Sequence, residues 1–248
     1  MAENPLLPHR RLQELHALML RCRDLDRTNA RKNAGKNPGT AGIAREGLLA
    51  AAAIQMEPGD MLCGEAGDST VEELFLPQAA VSKKKSKAPG TPELPTLSQL
   101  TLCIGMARGL QASGSKGVVL ALTSAGTSDP AWQNSMTYAQ TLRLPIIFLC
   151  LDATGGKVSK RAANPLTWLV AQKFAKNAHL PMLAVDGEDA VAVYRVVQES
   201  LIRARSGDGP ALAWCVLNKR DGKGRSRPVT AMEKYLAVRG LKPNLRAV

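Results

Sequence analysis

Apolar residues spaced three and four apart open the chain. Leu12, Leu15, Met19, Cys22 and Leu25 recur between residues 10 and 31, with Arg and Asp at the intervening positions. That period predicts an amphipathic helix packed along one stripe. The stretch NARKNAGKNPGTAG, punctuated by Asn and Gly, predicts a long loop, and AREGLLAAAAIQ a second helix that stops before the turn signal EPGD. After VEELFLP comes VSKKKSKAPGTPELP, in which Lys, Ser and Pro cluster without any period. Residues 77–95 are therefore expected to be a mobile loop.

From about residue 97 the pattern becomes regular. SQLTLCIGMARGLQ predicts a helix with Gly105 and Gly109 four apart, a spacing that permits close backbone packing. GVVLALT predicts a short buried strand. SDPAWQNSMTYAQTLR predicts a helix with Ser128 or Asp129 as its cap and Pro130 in its first turn. LPIIFLCLD is a second strand, too apolar for an exposed edge. A helix near 161–178 leads to the strand PMLAVD, and EDAVAVYRVVQESLIRARSG is the most regular helix of the chain. In it Tyr194, Val197, Leu201 and Ala204 form one stripe, and Gly207 marks the stop. PALAWCVLN is the last strand. Apolar strands alternating with helices predict an α/β fold whose parallel sheet is covered on both faces. Ligands of such sheets sit at the carboxyl ends of strands, so the loops TSAGTSD and DATGGKVSKR are the candidate site.

Composition narrows the class. The chain has 248 residues, 45% of them apolar but only 4% aromatic, so a large core must be built from aliphatic side chains. No apolar run reaches the roughly 20 residues of a membrane span. Five cysteines (22, 63, 103, 150 and 215) share no metal-ligand or redox spacing, and the N-terminus is not signal-like. These features predict a soluble, cytoplasmic protein with cysteines in a reducing compartment. The net charge of +12 is spread over Lys83–Lys85, Lys157–Arg161 and Lys219–Arg227 without interleaved aromatics. It reads as a solvated basic surface in preference to a nucleic-acid site, with polyanion binding as the weaker alternative.

Residues 117–153, GVVLALTSAGTSDPAWQNSMTYAQTLRLPIIFLCLDA, resemble the alpha subunit of the thiamine diphosphate-dependent decarboxylase component of 2-oxo acid dehydrogenase complexes, pyruvate dehydrogenase type. That family has Gly-Asp-Gly after the first of these strands, Lys-Leu-Pro at the end of the helix, and Glu-Asn-Asn after the second strand. Here the helix ends in Arg143-Leu144-Pro145. Downstream, VDGEDAVAVYRVVQESLIRARSGDGPALAW is similar to the family's stretch from Val-Asp-Gly to Gly-Pro. Upstream, LHALMLRCRDLD and EGLLAAAAIQMEPGD are similar to its first helix and its Gln-Glu-Ala helix. The resemblance covers most of residues 10–220. It implies the three-layer thiamine diphosphate-binding fold, a mostly parallel sheet with helices on both faces. The expected layout is one domain over residues 1–220, followed by a basic C-terminal segment over 221–248.

The resemblance also implies a cofactor, thiamine diphosphate held by magnesium, but most of its ligands have no counterpart here. The family's metal-binding Asp and Asn fall on Ser124 and Ala153; Asp152 stands one position before the latter. Its diphosphate-binding Tyr-Arg pair becomes Ala66-Gly67, and its active-site histidines match none of His9, His16 or His179. The reading preferred is a degenerate homologue, a pseudoenzyme with no assigned catalytic or metal-binding residue, acting through association with itself or a beta-like subunit. The alternative is a working 2-oxo acid dehydrogenase subunit in which Ser124 and Asp152 hold the metal and Lys157, Lys160 or Arg161 meets the phosphates. Ser124, Gly126 and Asp152 are thus the candidate cofactor-contacting residues, with the turn through Ser128 as a phosphate nest or merely a helix cap. Asp152 otherwise reads as an Asx-turn, and Glu46, beside Arg45, as cofactor-adjacent or as half of a helix-surface ion pair. His16 is expected to pack beside the first helix's stripe.

Overall fold

The computed structural model describes residues 7–32, 43–63, 69–75, 96–124, 130–153, 165–218 and 227–242. In chain order these form α1 (His9–Lys32), α2 (Glu46–Ala53), β1 (Met61–Cys63), α3 (Ser69–Phe75), α4 (Thr96–Ala112), β2 (Val119–Ser124), α5 (Pro130–Thr141), β3 (Ile146–Asp152), α6 (Pro165–Asn177), β4 (Met182–Asp186), α7 (Ala190–Arg205), β5 (Ala211–Val216) and α8 (Arg227–Val238). The five strands lie in the order β1-β2-β3-β5-β4, and every pairing is parallel. The central strand β3 is buried from Ile146 to Cys150, as expected for a strand covered on both faces.

Two apolar layers sandwich the sheet. On the first face α1, α2, α3, α7 and α8 meet Leu120, Leu149 and Ala213; on the second, α4, α5 and α6 meet Ala121, Phe148 and Trp214. The predicted stripes are the buried ones. Leu12, Leu15, Met19 and Cys22 of α1 are at most 2% exposed, and Tyr194, Val197, Leu201 and Ala204 of α7 are all buried. α7 begins under an Asp189 cap, whose carboxylate accepts from the N–H groups of Val191 and Ala192. It ends at Gly207 with φ of 79°, a left-handed conformation suited to glycine.

Several features differ from the expectation. Residues 61–63, too short to show a period, form the edge strand β1. Residues 227–238, inside the stretch expected only as a basic segment, form α8, and Val229, Met232 and Leu236 of it join the first core layer. Their i, i+3, i+7 spacing carried that signal, masked by the neighbouring charges. Cys63 and Cys103 are joined in a disulfide, a pairing that the cysteine spacings did not suggest. Their separation of 40 residues in the chain gave no spacing to read. A Cβ added at Gly105 or Gly109 would meet no atom of the described residues within 4 Å. The stretch 77–95 lies outside the described residues.

Candidate functional site

Parallel strands bring all their carboxyl ends to one rim, and the direction in which each strand exits decides where that rim opens. β2 and β3 lead into α5 and α6 on the second face, whereas β4 and β5 lead into α7 and α8 on the first. β3 and β5 are thus adjacent strands whose chains leave in opposite directions, a topological switch, as are β1 and β2 at the sheet edge, where β1 leads to α3 on the first face. Asp152 ends β3 at the first of these switches. Its backbone carbonyl accepts from the N–H of Leu217 at 2.7 Å, which holds the two strand ends together.

The Asp152 side chain is 7% exposed and accepts a hydrogen bond from the indole Nε1 of Trp214 at 3.0 Å. Trp214 is fully buried on β5, in register with Cys150, so the bond runs diagonally across the strand pair. The Asp152 carboxylate is thus engaged across the sheet by a core tryptophan, a contact the sequence did not suggest. Ser124 is the last residue of β2 and pairs in register with Leu151, not with Asp152. Gly126 and the caps Ser128 and Asp129 lie outside the described residues, as do Ala66, Gly67, Lys157, Lys160 and Arg161. Ala153 follows Asp152 directly and has no side-chain donor atom.

The first face closes the rim with the start of α2. The N–H of Ala44 donates to the carbonyl of Asn218 at 3.1 Å, just beyond β5. Gly47 lies against the β4–α7 turn, where an added Cβ would stand 3.3 Å from the carbonyl oxygen of Glu188. Glu46 is fully buried, and Arg45 forms a buried ion pair with Asp26 of α1 at 2.8 Å. Glu46 is therefore not on a helix surface, which removes the surface ion pair as one of the two readings of it. Beyond β4, a cavity of about 300 Å³ between the β4–α7 turn and α8 carries Asp186, Glu188 and Arg227 over Met232 and Tyr235.

The histidines lie elsewhere. His16 is 1% exposed, with its Nε2 3.7 Å from Glu233 of α8, and burial holds its pKa below the ordinary value despite that carboxylate. His179 sits in the turn after α6 with φ of 53°, and its carbonyl accepts from the Gln140 side chain.

Magnesium bridging a diphosphate needs a near-octahedral set of oxygen ligands, at least one of them anionic. Among the described residues Asp152 supplies a carboxylate at the switch point, its Oδ2 accepting from Trp214, and no cluster of three or more His, Cys, Asp or Glu suited to a metal occurs; the loop residues 125–129 and 154–164 lie outside them.

The model of the dehydrogenase E1 component family matches residues 77–223, more than half of the chain. The chain belongs to this family. Among curated E1-like relatives, the pyruvate dehydrogenase E1 component subunit alpha of Staphylococcus epidermidis is 28% identical over 123 residues, covering 49% of this chain and 33% of that protein. The alpha subunit of the acetoin:2,6-dichlorophenolindophenol oxidoreductase of Bacillus subtilis is 25% identical over 152 residues, 57% of this chain and 45% of the relative. The E1-like chain thus spans a third to a half of the length of these relatives. Its fold is also that of transketolase from Campylobacter jejuni, at a TM-score of 0.61 and 17% identity, covering 95% of this chain and 44% of that one. A transketolase mutant from Pichia stipitis gives 0.53 at 15% identity, covering 96% and 42%. The three-layer thiamine diphosphate-binding fold implied by the resemblance is the fold of this chain.

Proposed function

We propose that this chain is a non-catalytic homologue of the dehydrogenase E1 alpha subunit, which has given up magnesium and thiamine diphosphate and acts by associating with a second copy or with a beta-like subunit. The observation that carries the proposal is the Asp152 carboxylate, the acid nearest the family's metal position, buried and engaged by the Trp214 indole. That bond engages Oδ2 of Asp152 and holds the carboxylate on the side of the sheet where Trp214 packs. The alignment of the family's second metal ligand with Ala153 supports the same reading.

The association half is supported by α4. Leu102 is 36% exposed on its outer side, and Gly105 and Gly109 are exposed with open space where side chains would stand. A second helix can approach such a surface closely, because no side chain at the glycines holds it off.

Calorimetric titration of the full chain with thiamine diphosphate and magnesium tests the first half, alone and after mixing with an E1 beta subunit. No binding up to millimolar concentrations is expected. Micromolar binding that disappears with EDTA overturns the proposal in favour of a working dehydrogenase subunit with rearranged ligands. Sedimentation velocity tests the second half: a monomer that neither self-associates nor shifts with the beta subunit refutes it.

A further inference from the structure

All five cysteines lie among the described residues, and Cys63–Cys103 is the one joined pair. Cys22, Cys150 and Cys215 are buried and outside any disulfide. Burial, reinforced by Cys215 and Asp152, pushes the Cys150 thiol well up, and burial pushes that of Cys215 up to about 12. Neither supplies a thiolate at neutral pH. The one disulfide among the described residues is Cys63–Cys103.

The position of the bond decides what it controls. β1 is an edge strand of three residues, each paired with β2. Its start is anchored by Asp60, whose carboxylate accepts from the N–H groups of Val118 and Glu57, both at 2.8 Å, and pairs with Arg205. Its end has the disulfide, which joins Cys63 to α4 on the second face. The chain beyond Cys63 continues to α3 on the first face, where the Thr70 hydroxyl accepts from Asn29 of α1. One covalent bond thus ties a helix of the second layer to a strand whose continuation belongs to the first.

We propose that Cys63–Cys103 is a redox-sensitive clamp on this edge of the sheet, opened by exchange with a dithiol reductant. A thiolate of the reductant attacks one protein sulfur, the S–S bond breaks, and the second reductant thiolate resolves the mixed disulfide. The protein gains two electrons and two protons as two thiols, and the reductant leaves as its disulfide. The end of β1 then separates from α4, while Asp60 keeps the start of the strand in place. Cys63 and Cys103 are 4% and 2% exposed, so the attack waits on local opening of the edge. The clamp is independent of the functional reading above, because thiol counts and amide exchange report it directly.

The test uses the full chain purified without reductant and incubated with oxidised glutathione. Maleimide labelling after denaturation, read by mass spectrometry, is expected to add three labels before reduction with dithiothreitol and five after it, given two cysteines in the disulfide and three outside it. In native hydrogen exchange, reduction is expected to speed the peptides spanning β1 and α4 about tenfold and leave those of α7 and β5 unchanged. Cys103→Ser is expected to exchange like the reduced protein and to ignore dithiothreitol. Five labels even after oxidised glutathione, or equal exchange in both redox states, overturns the proposal. Because reduction of the unaltered chain is the primary comparison, the test stands even where the variant fails to fold.

Discussion

Replacing Trp214 by Phe keeps a ring in the second core layer but removes the only N–H donor that the indole offers Asp152. A hydrogen bond to a carboxylate contributes about 1.5–3 kcal/mol, and both partners here are buried at a separation of 3.0 Å. The smaller ring also leaves roughly 40 Å³ unfilled, which adds about 1 kcal/mol at the usual cost of core cavities. Trp214→Phe should therefore cost about 3 kcal/mol. Asp152→Ala, which strands the buried indole donor, should cost about 2 kcal/mol. If the two groups act as a pair, the double variant should cost about 3 kcal/mol rather than the sum of both, a coupling of about 2 kcal/mol. Urea unfolding followed by far-ultraviolet circular dichroism measures all four corners, provided the m-value stays constant. Coupling below about 0.5 kcal/mol would refute the bond as the role of Asp152. A magnesium-dependent rise of the unfolding midpoint in the parent, absent from Asp152→Ala, would refute the argument from the other side by making the carboxylate a metal ligand.

Three further outcomes follow from the core. Arg45→Ala leaves Asp26 buried without its partner and should cost about 3–5 kcal/mol, whereas the joint replacement Asp26→Leu with Arg45→Met should recover most of that; denaturant midpoints decide it. His16, held below its ordinary value of 6.5 chiefly by burial, takes up a proton more readily when unfolded. Stability should thus be complete above that value and fall as the pH drops below it; His16→Gln should flatten this part of the profile in thermal melts between pH 7 and 5. Arg23 opposes and Glu233 favours the charged form, so Glu233→Gln should steepen the fall. Leu236→Ala, at a fully buried position of α8, should cost about 2–5 kcal/mol, and a negligible effect would show that α8 does not belong to the cooperative unit.

The helices and strands that carry a full period were readable without coordinates. α1 and α7 each repeat an apolar stripe over several turns, and β2, β3 and β5 are apolar runs bounded by turn residues. For such segments local periodicity and tertiary burial have the same cause, because a stripe of aliphatic side chains has one way to leave water. The order of motifs along the chain was likewise enough to recognise the family and the parallel sheet.

What the chain does at its rim was a question of registration in space, and no local pattern records that. Asp152 meets Trp214 across 62 positions of sequence, Arg45 meets Asp26 across 19, and Cys63 meets Cys103 across 40. Ser124 and Asp152 end neighbouring strands, and only the strand register shows that Ser124 stands opposite Leu151 and not Asp152. The sequence by itself determined which segments become helices and strands and which surfaces they bury. Only the tertiary structure decided which polar groups meet, because strand register, crossover direction and helix placement are set jointly by the whole core.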